Sequence, residues 1–248
     1  MMDAGSPVAN VITSEPLQAV ETPGAVLGGG RTSPAVDLVH FPSRAERVRY
    51  LATTFRHVLT GKVLEVGCDR RTLKQLRPDL DYLGIDIAGE PDLRIDLETI
   101  PRLPFADRSF DVVVCSEVLE HLDNLHHTFA ELVRVARTHV LISLPNCWNA
   151  ARRPLRRGKG AIGHYGLPPQ APPDRHKWFF ALSEARAFVA AVADEHGLQI
   201  AELRVNEKPR SALIRGVRRL RHPNHERYLN LYAQTLWVLF QRLSPPSP

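Results

Sequence analysis

Cysteine is scarce in this chain: three in 248 residues, an odd number and far apart. That rules out a scaffold built on disulfides and fits a reducing compartment. Aromatic residues make up only 7%, so the core has to rest on Leu, Val, Ile and Ala. No apolar run approaches the roughly 20 residues that a membrane span needs. No basic segment followed by an apolar one opens the chain, so no secretory signal is expected. A strong charge excess is missing too. Lys and Arg number 32 against 27 Asp and Glu, leaving +5, too little to mark a nucleic-acid partner. The chain also lacks a G-x-G-x-x-G fingerprint, which argues against a nicotinamide enzyme. The expectation is a soluble cytoplasmic protein with one α/β domain.

From Met1 to about Val36 the chain is rich in Ala, Gly, Pro, Ser and Thr, holds no aromatic residue and sustains no apolar period. Such a segment buries too little surface to offset its ordering entropy, so 1–36 reads as a disordered tail. Residues 244–248 read as a frayed C-terminus. The domain between them spans 37–243. Ser43 is a fitting N-cap, with Val48, Leu51, Phe55 and Val58 at helical spacing until Gly61. Lys62–Val66, Asp81–Ile87, Leu93–Ile95, Phe110–Cys115 and His139–Leu144 then read as strands. Helical patterns around Thr72–Leu76 and across Leu125, Phe129, Leu132, Val133 and Ala136 alternate with them, which argues for a parallel, doubly wound sheet.

Beyond Pro145 the alternation breaks. Residues 146–177 carry prolines, glycines and an arginine cluster, and read as a long loop inserted into the domain. Leu182–Glu195 has a helical apolar face, and Leu198–Val205 and Tyr232–Gln241 read as closing strands. Between these strands lies a basic stretch, 206–228, whose arginines concentrate before Arg221 in a helical pattern. Open α/β sheets take ligands at the carboxyl ends of their strands. There the sequence places Gly67-Cys68-Asp69, then Asp86 nineteen positions after Gly67, then Asp96-Leu97, then Cys115-Ser116-Glu117. An acid at the distance of Asp86 commonly accepts hydrogen bonds from ribose hydroxyls.

Val63-Leu64-Glu65-Val66-Gly67-Cys68, Gly84-Ile85-Asp86, the segment from Leu103 to Val114, and Ser116-Glu117-Val118-Leu119-Glu120-His121-Leu122 together resemble the class I S-adenosylmethionine-dependent methyltransferases, in their small-molecule, type 11-like branch. Asp174-Arg175-His176-Lys177-Trp178-Phe179-Phe180 is similar to a segment before the late helix of some of these enzymes. The resemblance covers about residues 61–145. It implies a doubly wound, mostly parallel, seven-stranded Rossmann-like sheet with helices on both faces. It implies S-adenosylmethionine as cofactor, with Glu65 and Gly67 beside its methionine part, Asp86 on the ribose, Asp96 and Leu97 near the adenine, Ser116 under the sulfonium, and Cys68 and Ile87 as further cofactor-binding residues. This chain departs from the family pattern at Asp69 and Arg71, where the family has glycines. The implied activity is methyl transfer to oxygen or nitrogen of a small molecule, sugar or lipid-linked glycan. The alternative is a non-catalytic S-adenosylmethionine-binding or scaffold protein with a degenerate glycine loop.

On the acceptor side, His121 is the candidate general base, since imidazole titrates near neutrality. Arg156, Arg157, His164, His176 and Trp178 are expected to face the acceptor, with 146–177 and 206–228 forming a lid. The two arginine clusters suit an anionic or lipid-linked acceptor and a peripheral contact with a membrane surface. A nucleic-acid acceptor is disfavoured, because no Asn-Pro-Pro-Tyr-like tetrad follows the fourth strand. No metal is expected: Cys68, Cys115 and Cys147 lack Cys-x-x-Cys spacing, and buried structural thiols are the commoner case.

Overall fold

The structure, a computed structural model, describes residues 33–172 and 174–243. Its strands are β1 (Ala35–Asp37), β2 (Lys62–Val66), β3 (Asp81–Asp86), β4 (Leu93–Arg94), β5 (Phe110–Ser116), β6 (Ala136–Pro145), β7 (Leu198–Glu207) and β8 (Ala233–Arg242). They form one sheet in the order β1-β7-β8-β6-β5-β2-β3-β4, with β8 antiparallel to both neighbours and every other pair parallel. The helices are α1 (Arg44–Thr54), α2 (Thr72–Leu76), α3 (Leu125–Val135), α4 (Cys147–Arg157), α5 (Leu182–Glu195), α6 (Ala212–Arg221) and α7 (His225–Tyr232).

Alternate side chains of the strands leave on opposite faces, and both faces are covered. Leu64, Val66, Val113, Ile142 and Val238 belong to a core that includes Phe129 and Leu132 of α3 and Val189 and Val192 of α5. Val63, Val112, Val114, Leu141 and Trp237 belong to the other core, with Leu51 of α1 and Leu73 of α2. Ser43 caps α1 as expected, its hydroxyl accepting from the Glu46 N–H at 3.2 Å.

Three expectations are corrected. The sheet has eight strands, not seven, because Ala35–Asp37 adds an edge strand to β7. For the same reason the domain begins before residue 37. The carboxylate of Asp37 receives two hydrogen bonds of 2.9 Å from Arg204, and Val36 packs on the core. The rest of the expected tail, before Ser33, and the expected frayed C-terminus, 244–248, lie outside the described residues. The long loop is in its first third a helix. Cys147 and Ala151 are buried one turn apart on α4, and Gly158 ends it at φ +63. Pro154 lies inside that helix and forgoes one backbone bond. The basic stretch gives α6, as its pattern suggests, and a second helix, α7, directly before β8.

No helix among the described residues is long and apolar enough to cross a membrane.

Candidate functional site

The chain turns sharply after β2. Gly67 adopts φ +77, and a Cβ there would stand 2.2 Å from Cγ2 of Val118, so this position excludes any side chain. Asp69 and Arg71 also have positive φ, +48 and +53. The turn therefore keeps a course that glycine would follow without strain, although two bulkier residues occupy it. Tertiary bonds hold it there. The Asp69 N–H donates to Asp86 Oδ2 (2.8 Å), and the Glu90 N–H donates to the Asp69 carbonyl (2.7 Å). Arg71 turns away to Asp92 at 2.5 Å.

These turns open into a cleft of about 590 Å³ at the carboxyl ends of β2 to β5. Gly67, Asp86, Ile87, Asp96, Leu97, Ser116 and His121 all line it. The Asp86 carboxylate is aimed by two backbone donors, Asp69 N–H and Ala88 N–H (3.0 Å to Oδ1). That use leaves lone pairs on both oxygens for a ligand. Ile87 is 58% exposed beside it, an apolar surface at the mouth. Asp96 accepts from the Glu98 N–H (3.0 Å), and the Ser116 and Ser143 hydroxyls share a bond of 2.8 Å. The lining carries six carboxylates (Asp69, Asp86, Asp96, Glu98, Glu117, Asp174) against three cations (Arg44, Arg175, Lys177). The cleft suits a cation that also bears hydroxyls.

Glu65 and Cys68 lie behind this wall. Glu65 is buried and accepts from the Tyr82 hydroxyl, and burial pushes its carboxyl up to about 8. Burial likewise raises the Cys68 thiol to about 12. Cys115 is buried in the core.

At one end of the cleft, His121, which lines it, meets His164 and His176, which do not. Their rings stack or cross at centroid distances of 4.4–6.0 Å. His121 Nδ1 is 2.6 Å from Asp174 Oδ1, and His176 Nδ1 is 2.9 Å from the Tyr165 hydroxyl. Burial and the neighbouring rings lower His176 to about 4. Trp178 donates its indole N–H to the Leu122 carbonyl (2.7 Å), which fixes the segment after the histidines. Directly beside His121 sits Glu120, fully buried, with both carboxylate oxygens unpartnered. Burial, then the nearby Glu117, holds this carboxyl well above the usual carboxylate range.

Arg156 and Arg157 are elsewhere. With Arg152, Arg153, Arg218 and Arg221 they line a separate groove of about 620 Å³ between α4 and α6. Tyr232 forms part of it, with the Arg152 and Arg218 guanidiniums 4.7 and 4.4 Å from its ring centre. The expected lid thus divides in two. The histidine segment borders the cleft, while the arginine clusters face each other in the groove.

Arg44, Glu98 and Lys177 on the cleft wall, and Glu120 behind it, were not among the expected site residues. Glu120 had a visible signal, a charged residue set between the apolar Val118-Leu119 pair and His121-Leu122. Lys177 fell within the segment 174–180 that resembles the family, whereas Arg44 had no signal, because its neighbours in the cleft are remote in sequence.

Residues 49–144 match the family model described as a methyltransferase domain. No curated protein matches the sequence. Among solved structures, the chain is similar to an S-adenosylmethionine-dependent methyltransferase from Archaeoglobus fulgidus, at 16% identity and a TM-score of 0.52, over 82% of this chain and 96% of that one. It is also similar to an S-adenosylmethionine-dependent methyltransferase from Mesorhizobium loti, at 17% identity and a TM-score of 0.48, over 79% and 96%. A third is the magnesium protoporphyrin IX methyltransferase of Synechocystis PCC 6803 with bound S-adenosylhomocysteine, at 14% and 0.47, over 80% and 83%. The Archaeoglobus likeness is one of fold.

Proposed function

We propose that this chain, whose residues 49–144 match a methyltransferase-domain model and whose fold is similar to that of an S-adenosylmethionine-dependent methyltransferase, takes S-adenosylmethionine as its cofactor and methylates an oxygen or nitrogen of a small molecule, sugar or lipid-linked glycan. The observation that carries this reading is the acidic cleft built around Asp86. When bound, the cofactor supplies a sulfonium methyl already activated for in-line displacement, so the protein's task is alignment and exclusion of water. Asp86 would hold the ribose, Ile87, Asp96 and Leu97 would hold the adenine, and Gly67, Cys68 and Ser116, with Glu65 buried behind them, would hold the methionine part. The net negative lining favours the positive sulfur. The acceptor's proton is handled at the cluster around His121. The positive φ of Asp69 and Arg71 supports this reading over a non-binding scaffold, since the loop follows the glycine course.

The acceptor in this reading is anionic or lipid-linked, and the arginine groove meets its phosphate or the phosphate-bearing surface that carries it. Among the described residues, Arg153, Arg156, Arg157 and Arg221 have no ion pair. On α6, where no residue is buried, Leu213, Ile214, Val217 and Leu220 are 43–83% exposed. Cations interleaved with exposed aliphatics suit an anionic membrane surface.

Calorimetric titration of the full chain with S-adenosylmethionine and S-adenosylhomocysteine tests the cofactor assignment. One-to-one binding that Asp86→Ala weakens supports it; absence of binding overturns it.

A further inference from the structure

We propose that Glu120, His121 and His176 hold a divalent first-row transition-metal ion at the acceptor end of the cleft, with open positions for an acceptor hydroxyl. This deepens the methyltransferase reading and rests on it for the role of the ion.

One donor atom from each of the three residues lies within 4.8 Å of the others, and His121 Nε2 is 3.8 Å from Glu120 Oε1. Around an ion with bonds of about 2.1 Å, neighbouring donors sit about 3–4 Å apart, so small side-chain rotations close the set. The hydrogen bonds fix which ring nitrogens carry lone pairs. Asp174 accepts at His121 Nδ1 (2.6 Å), so in the neutral ring that nitrogen bears the hydrogen and Nε2 the lone pair. The Tyr165 hydroxyl has one proton, which goes to the Trp178 carbonyl (2.6 Å). Its oxygen therefore accepts at His176 Nδ1 (2.9 Å), which again leaves Nε2 bare. Two imidazoles held through Nδ1 by an oxygen acceptor are the outer arrangement that metal-ligating histidines use.

Glu120 supplies the independent observation. A carboxylate buried without a partner is costly, and this one has no partner on either oxygen while standing beside two bare imidazole nitrogens. A cation there satisfies it. Glu117 is committed elsewhere, to Arg47 and to the Thr235 hydroxyl. The thiols stay out as well: Cys147 Sγ bonds the Tyr165 hydroxyl at 2.8 Å. Two nitrogens and a carboxylate suit zinc, iron(II), cobalt or manganese, and three protein ligands leave positions for substrate.

His121 lines the cleft, so those positions open toward the acceptor. There the ion lowers the pKa of a bound hydroxyl, whose proton leaves to solvent. The resulting oxygen attacks the methyl carbon. An O–C bond forms as the C–S bond breaks, its electron pair stays on sulfur, and the products are a methyl ether and S-adenosylhomocysteine.

The test strips the full chain with a chelator, then titrates Zn²⁺ and Mn²⁺ by calorimetry and Co²⁺ by visible absorption. We expect one ion per chain in the wild type and in the control His57→Ala. Affinity falls about tenfold or more in Asp174→Asn, the usual effect of removing an outer partner, and further in His176→Ala and Glu120→Gln. Asp174 is exposed, so its variant reports even if Glu120→Gln folds poorly. No stoichiometric ion in the wild type, or equal affinity in all variants, overturns the proposal. S-adenosylhomocysteine titration of the same samples separates the two readings. Binding of that nucleoside without metal binding sinks only the metal site, and the converse sinks only the cofactor assignment.

Discussion

Asp37 grips Arg204 through two hydrogen bonds of 2.9 Å, to Nε and to a terminal nitrogen, across 167 residues of sequence. Arg204 is 3% exposed, so this pair fastens the edge strand to the body of the sheet. Tyr50 adds its hydroxyl to the same carboxylate. Breaking a buried ion pair leaves an uncompensated charge, which costs about 3–5 kcal/mol. Asp37→Ala should cost about 3 kcal/mol, the low end of that range, because Glu202 still faces Arg204 at 3.4 Å. Urea denaturation measures this. A chain starting at Leu38 should melt below one starting at Ser33, and equal melting temperatures would mean that β1 adds nothing.

Asp86→Ala should weaken S-adenosylhomocysteine binding by about 1.5–3 kcal/mol, the range for hydrogen bonds to a charged group. Asp86→Asn keeps an acceptor for the Asp69 N–H and should fall between that variant and the wild type. Calorimetry on both variants reads the ordering, and unchanged affinity in Asp86→Ala removes Asp86 from the cofactor site.

Glu65 gives a pH signature. Its folded carboxyl is raised to about 8 by burial, against about 4.3 in an unfolded chain. Between these values the native state binds more protons than the unfolded one, so this group's contribution to stability falls as pH rises from about 4 to 8. Glu65→Gln removes that titration and can still accept from Tyr82. Thermal melts at pH 5 and pH 8 should therefore show the variant gaining on the wild type at the higher pH. A constant difference between the two would place the buried carboxyl elsewhere.

Reversing Arg156 and Arg157 to Glu should abolish salt-sensitive binding to vesicles of anionic lipid, since each basic residue near such a surface contributes about 1 kcal/mol. Neutral vesicles serve as the control. S-adenosylhomocysteine affinity should not change, because neither residue lines the cleft. If the wild type ignores anionic vesicles, the groove has no membrane role.

The β2–β6 core of the fold was legible because its signals are local. Val112-Val113-Val114 reads as a buried strand from three adjacent residues, and Leu125, Phe129 and Leu132 mark one face of α3. α4 was hidden because Pro154 and four arginines mask the single turn that joins Cys147 to Ala151. β1 was hidden for another reason. Ala-Val-Asp carries almost no apolar signal, and what holds it is a charge on Arg204. The cleft acids Asp86 and Asp96 could be counted off from strand ends. Glu120 and the tautomers of His121 and His176 could not, because they depend on Asp174 and Tyr165, residues of a segment without regular structure.

The two openings at the carboxyl end of the sheet have opposite signs: the cleft holds six carboxylates to three cations, while six arginines and no acid line the groove. In the proposed reading, an acceptor with an anionic tail and a neutral hydroxyl head would be aligned before it makes contact, tail toward α4 and α6, head toward the cleft. Once the tail is seated, the head's arrival is an intramolecular event governed by an effective concentration, which reaches millimolar values for short flexible connections and collapses when the connection cannot span both sites. Under that proposal, discrimination would act as a ruler. Truncating the tail should lower turnover even when every group that touches the cleft is unchanged.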